Sequence, residues 1–175
     1  IGGDGIEGGV GDIDAGAGTE DTVATGTVAG LFQSGADEAL TYSLGGTGGL
    51  PALTSGGVAV TYAVVGTVLT ASAGPNTEFT FALNATTGAW TFTLVDQLDH
   101  PTLNTLAGDD TENDLLINLG SIVQATDFDG DTVTAPANAV VITVDDDTPI
   151  YVTEATSLGT VDEDAIVDAT VPLGG

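Results

Sequence analysis

Asp127, Asp129 and Asp131 alternate with Phe128 and Gly130 in the run Asp-Phe-Asp-Gly-Asp-Thr-Val. Gly130 permits a tight turn, and three carboxylates so close repel one another unless positive charge sits among them. Hard oxygen donors in an irregular arrangement suit Ca2+, which takes roughly six to eight oxygens. A second cluster, Asp145-Asp146-Asp147-Thr148-Pro149, follows the apolar run 139–144. A third lies in the polar crossing 96–114, which holds Asp99, Asp109, Asp110, Glu112 and Asp114. All of these are candidate metal ligands. An Asp-Gly turn also joins hairpin strands with no metal present, so the choice between turn and site falls to the rest of the composition.

That composition favours a cation. The 175 residues include 26 Asp plus Glu, no Lys, no Arg and one His, for a net charge of −26. No ammonium or guanidinium exists to pair with a carboxylate. Yet 42% of the residues are hydrophobic, too many for a disordered acidic tail. Clustered like charges destabilise a compact state, so bound cations are the expected remedy at neutral pH. Protonation of the carboxylates should weaken such sites below about pH 5. The same absence of cationic side chains excludes nucleic acid as a direct partner. There is no apolar run long enough for a transmembrane helix, so no membrane insertion is expected. Without cysteine there are no disulfides. Richness in Thr, Gly, Ala, Val and Asp suits a secreted protein, and extracellular calcium fills even weak sites.

Catalysis finds little support. Asp99-His100 is the one acid–imidazole pair, and Pro101 beside it indicates a turn. No Ser motif, second His or Lys accompanies it. Carboxylates are so abundant that a glycosidase-like pair carries no specificity. The protein is therefore expected not to be an enzyme. Asn84-Ala85-Thr86 has the form of a glycosylation acceptor, but it reads better as an ordinary turn.

The elements that must position these groups are strands. Residues 1–21 are Gly-rich and read as an extended linker or loop, with Asp4, Asp12 and Asp14 as weaker candidates. They contain one imperfect turn of a Gly-Gly-x-Gly-x-Asp calcium roll, which has no neighbour to stack on. Strands are expected over 22–32, 39–44, 58–64 and 67–73, the last two as a hairpin around Val65-Gly66. In 78–83, Phe79, Phe81 and Leu83 share one face, and in 89–95 Trp90, Phe92 and Leu94 do. That period of two marks a half-buried antiparallel pair. Further strands are expected over 115–125 and 139–144. With no amphipathic helix and many Gly, Asn, Asp and Pro turns, the pattern predicts an all-β antiparallel sandwich. The aromatic residues read as core, with Trp90, Tyr42 and Tyr62 the candidates for stacking on a surface glycan.

An ordered set of motifs resembles the tandem modules of giant type I secreted bacterial adhesins, the RTX and Bap-like surface proteins. They are Ser34-Gly35-Ala36-Asp37-Glu38 with Leu40-Thr41-Tyr42-Ser43-Leu44, and Phe79-Thr80-Phe81-Ala82-Leu83-Asn84 followed by Gly88, Trp90 and Phe92. Next come Leu98-Asp99-His100-Pro101, Glu112-Asn113-Asp114-Leu115, Asp127 to Thr132, and the Asp145 to Pro149 exit. The total loss of Lys and Arg departs from that pattern.

The resemblance implies immunoglobulin-like modules strung head to tail and rigidified by calcium at their junctions. On that reading 1–21 is linker, 22–148 the sandwich module, and 149–175 a linker and first strand of the next module. Asp127, Asp129 and Asp131 would face the preceding module, and Asp145, Asp146 and Asp147 the following one. Glu154, Asp162, Glu163 and Asp164 would approach from the next copy, the stretch Val161 to Ala165 being a module opener. The chain would then be a window cut from a longer array, and its partners neighbouring copies of itself. The expected function is a calcium-rigidified extracellular fibre or adhesin stalk on a bacterial surface. The alternatives are a filament or surface-layer subunit that lends an edge strand, and a carbohydrate-binding module.

Overall fold

The structure, a computed structural model, describes residues 22–35, 39–100 and 114–144. Alternation of Thr and Val with larger apolar residues produces strands throughout, because such side chains suit a pleated surface buried on one side. Strands β1 (Val23–Thr27), β2 (Thr41–Leu44), β3 (Thr54–Ser55), β4 (Val58–Val65), β5 (Val68–Ala73), β6 (Asn76–Leu83) and β7 (Ala89–Leu94) come first. Then follow β8 (Leu115–Asn118), β9 (Val123–Thr126), β10 (Thr132–Thr134) and β11 (Val141–Val144). The only helical turns among the described residues are short 3-10 segments, and none is long and apolar enough to cross a membrane.

One layer is a six-stranded antiparallel sheet in the order β1-β7-β6-β5-β4-β3. The other layer consists of β10-β9-β2 and β11-β8. Their inner faces share one core, with Leu69, Phe79, Phe81 and Phe92 from the first layer and Ile117, Ile122, Val123 and Ile142 from the second. The chain is thus the all-β antiparallel sandwich that its alternation predicts. Phe79 and Phe92 meet with ring centroids 5.0 Å apart, and Phe81 meets Trp90 at 5.6 Å. Each fully buried Phe contributes about 2–3 kcal/mol of transfer free energy.

Tight turns join the meander. Val65 pairs with Val68, so the central turn residues are Gly66 and Thr67, one position later than the sequence suggests. Gly66 has φ +62°, which a two-residue hairpin requires at its first central position and which glycine adopts without strain. Gly74-Pro75 turns β5 into β6 in the same way. Asn84 closes the next turn by accepting hydrogen bonds at Oδ1 from the N–H groups of Thr86 (2.9 Å) and Thr87 (3.0 Å). Its side chain is therefore a turn former.

Two expected strands are shorter than their apolar runs. The run 22–32 leaves the sheet after Thr27: Val28 takes near-helical dihedrals and donates its N–H to the Gly88 carbonyl, and a 3-10 turn follows at Ala29–Leu31. The run 115–125 breaks at Leu119 into β8 and β9, which pair with different partners. Gly120 causes the break. Its bare Cα lies against the Pro136 carbonyl, an approach no side chain allows. The loop 127–131 therefore joins β9 to β10, and the 139–144 strand (β11) belongs with β8 instead of following that loop directly.

Candidate metal centre

The Asp127–Asp131 turn is built by its own backbone. Asp127 N–H donates to the Asp131 carbonyl (3.1 Å), and Asp131 N–H donates to Asp127 Oδ1 (2.9 Å). Gly130, at φ +96°, supplies the reversal. Below the turn the hydroxyls of Thr126 and Thr132 join at 2.8 Å and close the neck of the hairpin. The result gathers one oxygen from each of Asp127, Asp129 and Asp131 within 4.8 Å of one another. Phe128, between them, is 81% exposed.

The electrostatics show the strain of that gathering. A hydrogen bond with the Asp129 carboxyl, aided by N–H groups of Asp131 and Gly130, holds Asp127 below the usual carboxylate range. Asp129 is pushed above it, first by the same hydrogen bond and then by the negative charge of Asp127. Two carboxylates so close oppose each other's ionisation. A divalent ion among them would relieve the repulsion. Three carboxylates supply about half of calcium's usual oxygens, and water or carbonyl groups complete such sites. Beside the turn, an open groove of about 220 Å³ runs between Leu31, Phe32 and Val133, with Asp127 and Asp131 on its wall.

Among the described residues this is the one group of three or more carboxylates positioned to share an ion. Asp99, a candidate in the 96–114 crossing, caps a hairpin turn. Gly56 and Gly57 form the two-residue turn between β3 and β4, at φ +55° and +76°. Asp99 Oδ1 accepts the Gly56 N–H and Oδ2 the Gly57 N–H, both at 2.8 Å. A hydrogen bond from the Thr54 side chain, then these N–H groups and the charge of His100, hold its pKa below the ordinary value. Asp99 is a hairpin clamp. Asp114 is exposed just before β8 and stands apart from the Asp127 group. Asp109, Asp110, Glu112, Asp145, Asp146, Asp147, Glu154, Asp162, Glu163 and Asp164 lie outside the described residues.

The aromatic candidates are engaged in packing. Tyr42 is buried against Phe32. The Tyr62 hydroxyl donates to the Pro51 carbonyl at 2.7 Å, and burial pushes its pKa up to about 12. Trp90 lies half-buried over Gly26 on the neighbouring strand, in space that a Cβ would occupy.

A family model described as a domain of unknown function (DUF5801) matches residues 12–140. The chain belongs to this family. No curated protein matches the chain, and no solved structure does. The Asp127–Asp131 turn falls inside the matched span of the DUF5801 domain, as do β1 to β10.

One carboxylate in the DUF5801 domain escapes sequence reasoning. Glu78 is 1% exposed, and its Oε2 has no hydrogen-bond partner. Ala71 pairs with Phe79 but Ser72 with Thr77, so Glu78 is the extra residue of a β-bulge. Strict alternation from the inward Phe79 would send it to solvent, so the sequence carries no signal of its burial.

Proposed function

We propose that this DUF5801 domain is a structural extracellular module of a bacterial surface fibre or adhesin stalk, with calcium bound at the Asp127–Asp131 turn. The observation that carries the reading is the convergence of three carboxylates in a protein that has no Lys or Arg to neutralise them. A hairpin tip is a suitable place for such an ion, since it stiffens the end of a sandwich where a neighbouring copy would meet it. Titration calorimetry with calcium, and melting curves with calcium or EDTA, test this on the chain as it stands. Calcium should raise the melting temperature, and the combined D127N, D129N and D131N substitutions should abolish most of that gain. An unchanged melting temperature and no heat of binding would refute calcium as a structural element.

A further inference from the structure

The inward face of the β9–β10 hairpin carries two cross-strand pairs side by side. Ala125 stands opposite Val133. One step along the same face Asp127 stands opposite Asp131, tied to it through the backbone. Residues two apart share a face, so an apolar pair and an acidic pair form the floor of one groove, the opening of about 220 Å³ beside the turn. Leu31, Phe32 and Leu40 line it as well. Ala125 is 3% exposed, whereas its inward-facing neighbour Val133 is 63% exposed, so this end of the sandwich leaves an apolar side chain of the inner face uncovered. β10 is also the outermost strand of its sheet, with β9 on one side and no strand on the other among the described residues.

We propose that this groove docks an extended basic segment of a different protein, added as a strand along β10, with a cationic side chain at Asp127 and Asp131 and an apolar one over Val133. Charge selects the occupant. Two carboxylates set among Leu31, Phe32 and Val133 are complementary to a cation with an apolar neighbour. This chain has no Lys or Arg in any segment, so neither its own tails nor a second copy carries the matching side chain. Its net charge of −26 draws a basic partner and repels an acidic one. Arg matches the floor better than Lys, because its planar fork of donors serves neighbouring carboxylate oxygens together.

Size and the free edge select its form. Small-molecule sites run to about 300–1,000 Å³, and a groove of about 220 Å³ takes side chains of a peptide instead. In strand addition the main chain supplies affinity and pockets for alternate side chains supply specificity. The edge of β10 offers the first and the groove the second. The floor also fixes the spacing: Asp131 and Val133 are two residues apart, so the cation and the apolar group of the partner must be two apart as well. Calcium at the turn would claim the same carboxylates, so ion and peptide should weaken each other equally. That coupling rests on the calcium reading; docking does not.

NMR titration of the chain in EDTA with the capped peptide Ser-Thr-Arg-Thr-Leu-Thr-Ser tests the proposal. It should bind with a Kd of about a millimolar or tighter, with amide shifts confined to β9, β10, the Asp127–Asp131 turn and the 31–35 segment, and more weakly as NaCl is raised. The rearranged peptide Ser-Thr-Arg-Leu-Thr-Thr-Ser puts cation and apolar group on opposite faces and should bind at least about fivefold more weakly. The version with Glu for Arg should not bind. D131N should weaken the first peptide about threefold, and V133T should weaken it too; the peptide controls decide the matter even if a variant fails to fold. No binding in EDTA would overturn docking, as would equal binding of the three peptides or shifts centred on β3 to β5, and none of these results touches the calcium reading. Calcium that binds the chain yet leaves the peptide's affinity unchanged would overturn the shared site.

Discussion

Asp99 shows how a carboxylate can be spoken for by backbone alone. Its two oxygens bind the N–H groups of a turn 43 and 42 residues upstream. The folded-state pKa is depressed, so its stabilisation is present above the ordinary carboxylate value of about 4 and is lost as pH falls through the depressed value. Asp99→Asn aims an amide N–H2 at one of the glycine donors. It should lower the melting temperature at pH 7, and the gap to the wild type should close as both are melted at progressively lower pH below about 4. Glu78 poses the opposite problem, a buried carboxylate with an oxygen unmet. An unsatisfied buried polar atom costs about 1–3 kcal/mol, so Glu78→Leu should move the urea midpoint upward. A lower midpoint would show that Glu78 is held by a partner. The Asp127 triplet was legible in the sequence because its members alternate within one short run and one glycine decides the turn. Asp99 was not, because nothing local announces that Gly56 and Gly57 present two N–H groups to it. Glu78 was hidden by a bulge, which alternation cannot reveal.

At the level of elements, legibility tracked how much the local chain decides. The β6–β7 pair was readable down to its inward residues, since Phe79, Phe81, Leu83 and Phe92 are all buried. Asn84 and Gly88 closed its turn with bonds internal to the segment. The run 115–125 misled because β8 and β9 are each plausible continuations of the other. Only tertiary contact separates them: Gly120 sits against the backbone of the Pro136–Ala139 segment. Just before that segment, Ala135 N–H donates to the Val123 carbonyl at 2.9 Å. Gly120→Ala would drive a methyl into the Pro136 carbonyl and force the two segments apart. Overpacking of this kind costs about 1–3 kcal/mol, and contact with rigid backbone puts Gly120→Ala at the upper end. Urea unfolding should show a lower midpoint, with hydrogen exchange accelerated in β9 and β10 ahead of β4 to β7. Uniform acceleration across both layers would mean that the break at Leu119 has another origin.

Across the whole molecule, charge and fold are segregated. Hydroxyl and apolar side chains build both layers, and the described carboxylates other than Glu78 are confined to the connections. That division lets a sandwich form in a chain of net charge −26, because like charges are kept out of the strands where pairing would press them together. Repulsion among the loops still opposes compaction. Sodium chloride should therefore raise the melting temperature by screening, with the effect levelling off as the Debye length shrinks toward about 3 Å near molar salt. Screening alone depends on ionic strength, so calcium and sodium chlorides at matched ionic strength would act almost alike. A bound ion adds a term that follows its own concentration, RT ln(1 + [L]/Kd), reaching about 2.7 kcal/mol at a hundredfold excess over Kd. The DUF5801 domain should consequently melt higher in calcium chloride than in sodium chloride of equal ionic strength. D127N/D129N/D131N should lose that difference while keeping the sodium response. Equal melting in the two salts would leave the acidic turn as a hairpin and nothing more, and the net charge would then be tolerated through its placement in the loops alone.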